Sequence, residues 1–231
     1  MNLIFDIGFN KGEFTQACFD KYPNCMVVGV EANRDLYFDA PKHKSLILLN
    51  KAASSSDGQM LEFYREYSQS GISTFSQDFM KNSRFSKGSK YLAPNSARWM
   101  NSGKVESITL DTLISTHGNP DVIKIDVEGY ELEVLRGLTK KVSKICFECH
   151  EEELDKLEKT MSYLGELGYT EFGLIGYFDE GDVYEKLTFS IDGDPYLQEP
   201  AEYYAPSDFK SEIQKCFIPE RRVNYGMVWC K

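Results

Sequence analysis

Leu3-Ile4-Phe5-Asp6-Ile7-Gly8-Phe9-Asn10-Lys11-Gly12 is the stretch that decides the fold. Leu3 to Asp6 is a short apolar run closed by an acid, the pattern of a buried strand. Gly8 and Gly12 carry no Cβ, so the backbone there can bend sharply and lie close to a ligand. From Gly12 to Lys21, Phe14, Ala17 and Cys18 fall at helical spacing. A strand that passes through a glycine turn into a helix opens a nucleotide-binding α/β unit, and the first amides of such a helix favour an anion.

The same alternation continues downstream. Met26 to Val30 predicts a second strand, ending in Glu31; a short helix follows around Leu36 to Phe38, and Ser45 to Leu49 predicts a third strand. Alternating strands and helices imply parallel pairing through right-handed crossovers. Asp57-Gly58 reads as a turn and Met60 to Tyr64 as an added strand. Gln69 to Gly103, rich in Ser, Asn, Lys and Gly, reads as a long surface loop. Regular structure resumes at Val105 to Leu110, followed by strands over Asp121 to Asp126 and Lys144 to Glu148 with a helix over Glu131 to Leu138 between them. Glu151 to Leu167 carries Leu154, Leu157, Met161, Leu164 and Leu167 every three or four residues, a clear amphipathic helix. Tyr169 to Tyr177 and Tyr225 to Cys230 supply two closing strands. The expectation is one domain over residues 1–231 with two insertions, a basic one at 75–104 and an acidic, tyrosine-bearing one at 178–223.

The glycine turn is not the dinucleotide G-x-G-x-x-G pattern, because Asn10 takes the middle position and the last glycine is displaced. Asp6 stands two residues before the first glycine, where a carboxylate would repel a pyrophosphate but not an ammonium or a sulfonium. The charge pattern therefore favours S-adenosylmethionine over NAD. Glu31, at the end of the second strand, is placed to bind ribose hydroxyls.

Asp121-Val122-Ile123-Lys124-Ile125-Asp126-Val127-Glu128-Gly129 sets three charges into or just beyond a buried strand. Ligands bind at the carboxyl ends of such strands, and charges so near a core need partners or a function. An internal Lys–carboxylate pair that only orders the turn is the alternative reading.

At this point the motifs, taken in order, resemble a known family. They are Asp6-x-Gly8-x-Asn10-x-Gly12, Glu31, Ala52-Ala53-Ser54 with Asp57-Gly58, Gly71-x-Ser73-Thr74, Thr109-Leu110-Asp111, and Ile123-Lys124-Ile125-Asp126-Val127-Glu128-Gly129-Tyr130-Glu131 with Leu135-Arg136-Gly137. This set resembles the FkbM-type O-methyltransferases over roughly two-thirds of the chain; Ala32 departs from the proline usual after the acid of the second strand. The resemblance implies a class I methyltransferase fold, Rossmann-like and doubly wound, whose mostly parallel seven-stranded sheet has an antiparallel closing strand. It also implies S-adenosylmethionine as donor and an alcohol acceptor, often on a sugar or polyketide. The expected cofactor-binding residues are Asp6, Gly8, Asn10, Lys11, Gly12, Glu31, Ala32, Ala52 and Asp126.

Cys146-Phe147-Glu148-Cys149-His150 matches the haem-attachment pattern C-x-x-C-H only formally, since three-residue spacing within a strand turns the two thiols to opposite faces. Glu148 and His150, two apart, share one face at the end of the strand next to Asp126. Methyl transfer to a hydroxyl needs alignment and a base or cation as the proton leaves. His150 or Asp126 is the expected base, with Lys124 and Glu128 orienting the acceptor. In an alternative scheme, Asp126 and Glu128 hold Mg²⁺ or another divalent cation that binds the acceptor's oxygens.

The charge balance narrows the partners. A net charge of −10 makes the chain a poor general binder of nucleic acid. Between Phe75 and Lys104, however, Lys81, Arg84, Lys87, Lys90, Arg98 and Lys104 face one acid, Asp78, which suits an anionic, nucleotide- or lipid-linked acceptor. In the acidic stretch, Tyr177, Tyr184, Tyr196, Tyr203 and Tyr204 could stack on sugar faces. No apolar run reaches the ~20 residues of a membrane span, and Met1 runs directly into Asn2-Leu3-Ile4-Phe5-Asp6 without a basic segment, so a cytoplasmic protein with reduced cysteines is expected. The expected activity is S-adenosylmethionine-dependent O-methylation of a sugar or glycan hydroxyl. The alternatives are another small-molecule alcohol as acceptor, or a cofactor-binding module without catalysis.

Overall fold

The structure, a computed structural model, describes residues 1–67, 70–86, 97–178, 200, 202–216 and 223–231. Ten strands and seven α-helices are described: β1 (Leu3–Ile7), α1 (Glu13–Lys21), β2 (Met26–Val30), α2 (Arg34–Asp39), β3 (Leu46–Leu49), β4 (Ala52–Ala53), β5 (Met60–Glu66), α3 (Gln77–Asn82), β6 (Trp99–Ile108), α4 (Leu110–His117), β7 (Val122–Ile125), α5 (Glu131–Leu135), β8 (Ile145–His150), α6 (Leu154–Glu166), β9 (Phe172–Phe178), α7 (Pro206–Cys216) and β10 (Val223–Cys230). Seven strands form one sheet in the order β3-β2-β1-β7-β8-β10-β9. From β3 to β8 every pairing is parallel; β10 runs antiparallel to both of its neighbours. This is the class I methyltransferase arrangement, with its antiparallel closing strand. The chain builds outward from β1 to β3 and then returns to the other side of β1, so the strand order reverses between β1 and β7. Ligands bind above such a reversal.

Strand alternation divides the core. Phe5, Ile7, Val28, Val30, Ile123, Ile125 and Phe147 face the larger core with residues of α4, α5, α6 and α7, whereas Ile4 and Val27 meet Phe14 and Cys18 of α1 on the other face. Cys146 and Cys149 point to opposite faces, into different clusters. The five cysteines whose side chains are described are buried.

Two stretches hold more structure than their composition predicts. The expected surface loop contains a 3₁₀ turn at Ser70–Ile72 and α3, and β6 begins already at Trp99 rather than at Val105. Ser76 caps α3 through its hydroxyl, which accepts from Phe79 N–H, and Phe79 is buried. β6 pairs with β5 and β4 in a small sheet beside the main one. Helix α7 lies within the acidic stretch and places Phe209 and Ile213 in the larger core. Lys87, Lys90, Tyr184 and Tyr196, and the side chain of Tyr177, lie outside the described residues. Among the described residues no helix is long and apolar enough to cross a membrane.

Candidate active site

The glycine turn is built around one close approach. Gly8 has φ +82°, and a Cβ there would sit 1.8 Å from the Asp126 carbonyl oxygen, so only glycine lets the tips of β1 and β7 meet. Asp126 N–H donates to the Ile7 carbonyl at 3.0 Å, while Gly8 and Phe9 N–H both donate to the Val30 carbonyl. Three strand tips are thereby tied together. Gly12 (φ +81°) precedes α1 with its Cα against the Phe9 ring. Asn10, also in the left-handed region at φ 49°, donates its N–H to Glu31 Oε2 at 2.7 Å. Glu31 Oε1 accepts from Asn33 N–H at 2.6 Å. Burial outweighs these two bonds and pushes the Glu31 carboxyl up to about 7.

Asp6 and Lys124 are register partners on adjacent parallel strands and so share a face. Asp6 is fully buried, accepts from Thr15 Oγ1 at 2.7 Å and lies 3.4 Å from Lys124 Nζ. The same ammonium donates to the Gly8 carbonyl at 3.0 Å and lies 3.3 Å from Asp126. Burial opposes its charge, but the Asp126 and Asp6 carboxylates prevail and raise the lysine's pKa. Asp6 thus anchors Lys124 behind the turn, and Lys124 joins the turn to Asp126.

Beyond β7 the chain turns through Glu128 (φ 54°) and Gly129 (φ 80°). Glu131 Oε1 accepts from the N–H groups of Val127 and Gly129, and Thr74 Oγ1 donates to the Glu128 carbonyl at 2.7 Å. At the tip of β8, His150 Nε2 lies 2.9 Å from Glu148 Oε2 and 3.8 Å from Glu128 Oε2. Burial acts to lower the His150 pKa, but Glu148, with Glu152 and Glu153, more than offsets it and raises the value to about 9. Burial and the neighbouring Glu148 carboxylate push the Glu128 carboxyl well above its ordinary range. The His150 ring packs on Phe79 of α3, centroids 5.5 Å apart.

These strand tips open into a cavity of about 370 Å³, within the range of small-ligand sites. Gly8, Asn10, Lys11, Glu31, Ala32, Ala52 and Asp126 line it, as do Lys124, Glu128 and His150. Of the expected site residues only Asp6 and Gly12 stand behind its wall. Apolar lining comes from Phe63, in the expected added strand, and from Ile72, Phe75 and Phe85, in the segment expected to be a loop.

Residues 6–171 match the methyltransferase FkbM domain. The chain belongs to the FkbM methyltransferase family. Membership makes it an S-adenosylmethionine-dependent methyltransferase. Similar solved structures include the precorrin-6y C5,15-methyltransferase from Geobacter metallireducens GS-15, at 11% identity and TM-score 0.43 over 100% of this chain and 78% of that one. Another is the plantazolicin methyltransferase BpumL in complex with SAH, at 12% identity and TM-score 0.43 over 100% and 76%. No curated protein matches the chain.

In this FkbM methyltransferase several groups at the site escape a reading of motifs alone. Thr15 supports Asp6 from one turn into α1. Thr74, within the Gly71-x-Ser73-Thr74 motif, braces Glu128 across 54 residues of sequence, a contact no local signal announces. Arg84 forks onto Glu152 with bonds of 3.1 and 2.7 Å and its backbone N–H adds a third at 2.7 Å, tying the 75–104 segment to the start of the 3₁₀ turn that follows β8. Of the pair that the alternative scheme from sequence gave to a divalent cation, Asp126 lies 3.3 Å from Lys124, and Glu128 lies with Glu148 and His150.

Proposed function

We propose that this chain transfers the methyl group of S-adenosylmethionine to a hydroxyl oxygen of a sugar or glycan. The observation that carries the reading is one cavity whose lining joins Glu31 and the glycine turn to Asp126, Glu128, Glu148 and His150. Glu31 and the turn offer a carboxylate to ribose hydroxyls and close backbone to the amino-acid part of the donor. The other acidic groups crowd together where a sulfonium and an acceptor hydroxyl would meet, a field that favours the donor's positive charge.

When bound, the donor supplies an electrophilic methyl group on positive sulfur. Transfer of that methyl to the acceptor oxygen would break the sulfur–carbon bond and release S-adenosylhomocysteine. The hydroxyl proton passes to Asp126, whose carboxylate lines the cavity and is oriented by Lys124 at 3.3 Å. His150 Nε2 is already engaged by Glu148 at 2.9 Å, so His150 shapes the acceptor end and Asp126 is the better-placed base. Lys124 acts through Asp126 and the Gly8 carbonyl as a positioning residue. Most of the rate gain comes from alignment, which can contribute roughly 7–11 kcal/mol.

A second reading, a less polar small-molecule alcohol as acceptor, is favoured by the wall of Phe63, Ile72, Phe75 and Phe85. Calorimetric titration with S-adenosylmethionine, then methyl transfer to parallel panels of sugars and apolar alcohols, separates the two. The donor binds, sugars turn over, and Asp126→Asn lowers kcat at least tenfold with donor affinity little changed. A chain that binds the donor and methylates neither panel is a cofactor-binding module without catalysis, and one that does not bind the donor removes the proposal.

A further inference from the structure

We propose that Glu128, Glu148 and His150 form a divalent-cation site at the acceptor end of the cavity, suited to a first-row ion such as Mn²⁺; this role deepens the methyl-transfer reading above and rests on it. Each residue offers one ligand atom, and the three atoms lie within 4.8 Å of one another. His150 Nε2 stands 2.9 Å from Glu148 Oε2 and 3.8 Å from Glu128 Oε2. Ligands at about 2.0–2.2 Å from one ion lie roughly 3–3.5 Å apart in octahedral or tetrahedral geometry. The two separations from His150 bracket that range, and the Glu128 and Glu148 oxygens, within 4.8 Å of one another, draw together on an ion held between them.

A second observation points to a missing ligand. Glu128 Oε2 is buried and accepts no hydrogen bond among the described residues, and its residue is fixed in place by the Thr74 hydroxyl and the Glu131 carboxylate. An unmet buried acceptor is costly, and a cation between Glu128 and His150 would meet it. The imidazole is itself held in place, 4% exposed and packed on Phe79.

The donor set selects the ion. One nitrogen and two carboxylate oxygens suit Mn²⁺ and its first-row neighbours, whereas Mg²⁺ prefers an all-oxygen shell. All three residues line the cavity, so the remaining coordination positions face the acceptor. An acceptor oxygen bound there would be polarised and its proton released more easily to Asp126, the Lewis-acid role. Asp126 stays outside the set because Lys124 occupies its carboxylate.

The test is an electron-paramagnetic-resonance titration of the full chain, stripped by chelator, with Mn²⁺. Calorimetry with S-adenosylmethionine is run on the same samples. One Mn²⁺ binds per chain, and Glu148→Gln and Glu128→Gln each weaken it by more than about tenfold, while thermal unfolding shows both variants folded. His150→Ala serves as the harsher third variant, and Asp126→Asn retains the ion. Absence of saturable Mn²⁺ binding up to about 1 mM, the weak end for a protein site, overturns the inference. So does binding that Glu148→Gln and Glu128→Gln leave unchanged. Donor binding without Mn²⁺ binding sinks this inference alone, whereas loss of donor binding sinks the methyl-transfer reading.

Discussion

Replacing Gly8 by alanine tests the geometry on which the site depends, because the structure supplies its own control. Gly8 and Gly58 both have left-handed backbones, at φ +82° and +71°. A Cβ on Gly58 would meet nothing within 4 Å, so Gly58→Ala carries only the conformational cost of that region, about 1–2 kcal/mol. A Cβ on Gly8 would also stand 1.8 Å from the Asp126 carbonyl oxygen, where real contacts essentially never fall below 3.0 Å. The tips of β1 and β7 must then part by more than an ångström, at the expense of the Asp126 N–H bond to Ile7 and the Lys124 bond to the Gly8 carbonyl, both 3.0 Å. A neutral hydrogen bond is worth about 0.5–1.5 kcal/mol and a charged one about 1.5–3. Gly8→Ala therefore destabilises by about 3–6 kcal/mol, at least 2 more than Gly58→Ala. Urea unfolding followed by circular dichroism, with the m-values compared, measures both. If the two variants agree within about 0.5 kcal/mol, the tight contact between the glycine turn and Asp126 is not what holds the strand tips together.

Three further outcomes are expected. Glu31, raised from 4.5 to about 7, contributes stability that is fully present below pH 4.5 and lost as pH rises through 7. The loss approaches about 3 kcal/mol, read as a pH-dependent gap between wild type and Glu31→Gln in denaturant midpoints at pH 5 and pH 8.5; a constant gap removes the argument. Arg84→Met leaves the Glu152 side chain, 2% exposed, buried without its guanidinium and lowers stability by about 3–5 kcal/mol. Adding Glu152→Leu restores most of that loss, and a double variant no better than the single one would show that charge pairing is not the cause. Thr15→Val keeps the shape but removes the 2.7 Å bond to fully buried Asp6, a loss of about 1–3 kcal/mol by thermal unfolding; an unchanged midpoint would mean that Lys124 alone satisfies Asp6.

The elements legible in the sequence are those whose side chains repeat. Leu154, Leu157, Met161 and Leu164 announce α6, and the runs before Gly8 and Asp126 announce β1 and β7, because burial on both faces demands unbroken apolar residues. Helix α3 has one buried residue in its six, Phe79, so no period could show. The first half of β6 is mostly exposed and lacks the alternation that marks a half-buried strand. Among the described residues, helix α7 is anchored by Phe209 and Ile213, within an acidic stretch that reads as irregular. At the site, position along the strands gave away Glu31, Asp126, Glu128 and His150. The partners were not legible, since the Asp6–Lys124 contact depends on the register between β1 and β7 and the Thr74–Glu128 bond on how a distant segment folds back.

The buried cysteines give the molecule a silent label. Cys18, Cys25, Cys146, Cys149 and Cys230 all sit inside the packed layers, and burial pushes the Cys25, Cys149 and Cys230 thiols up, away from the reactive thiolate. An alkylating reagent meets these sulfurs only when the layers separate, so their labelling rate counts excursions of the whole sheet rather than local breathing at the surface.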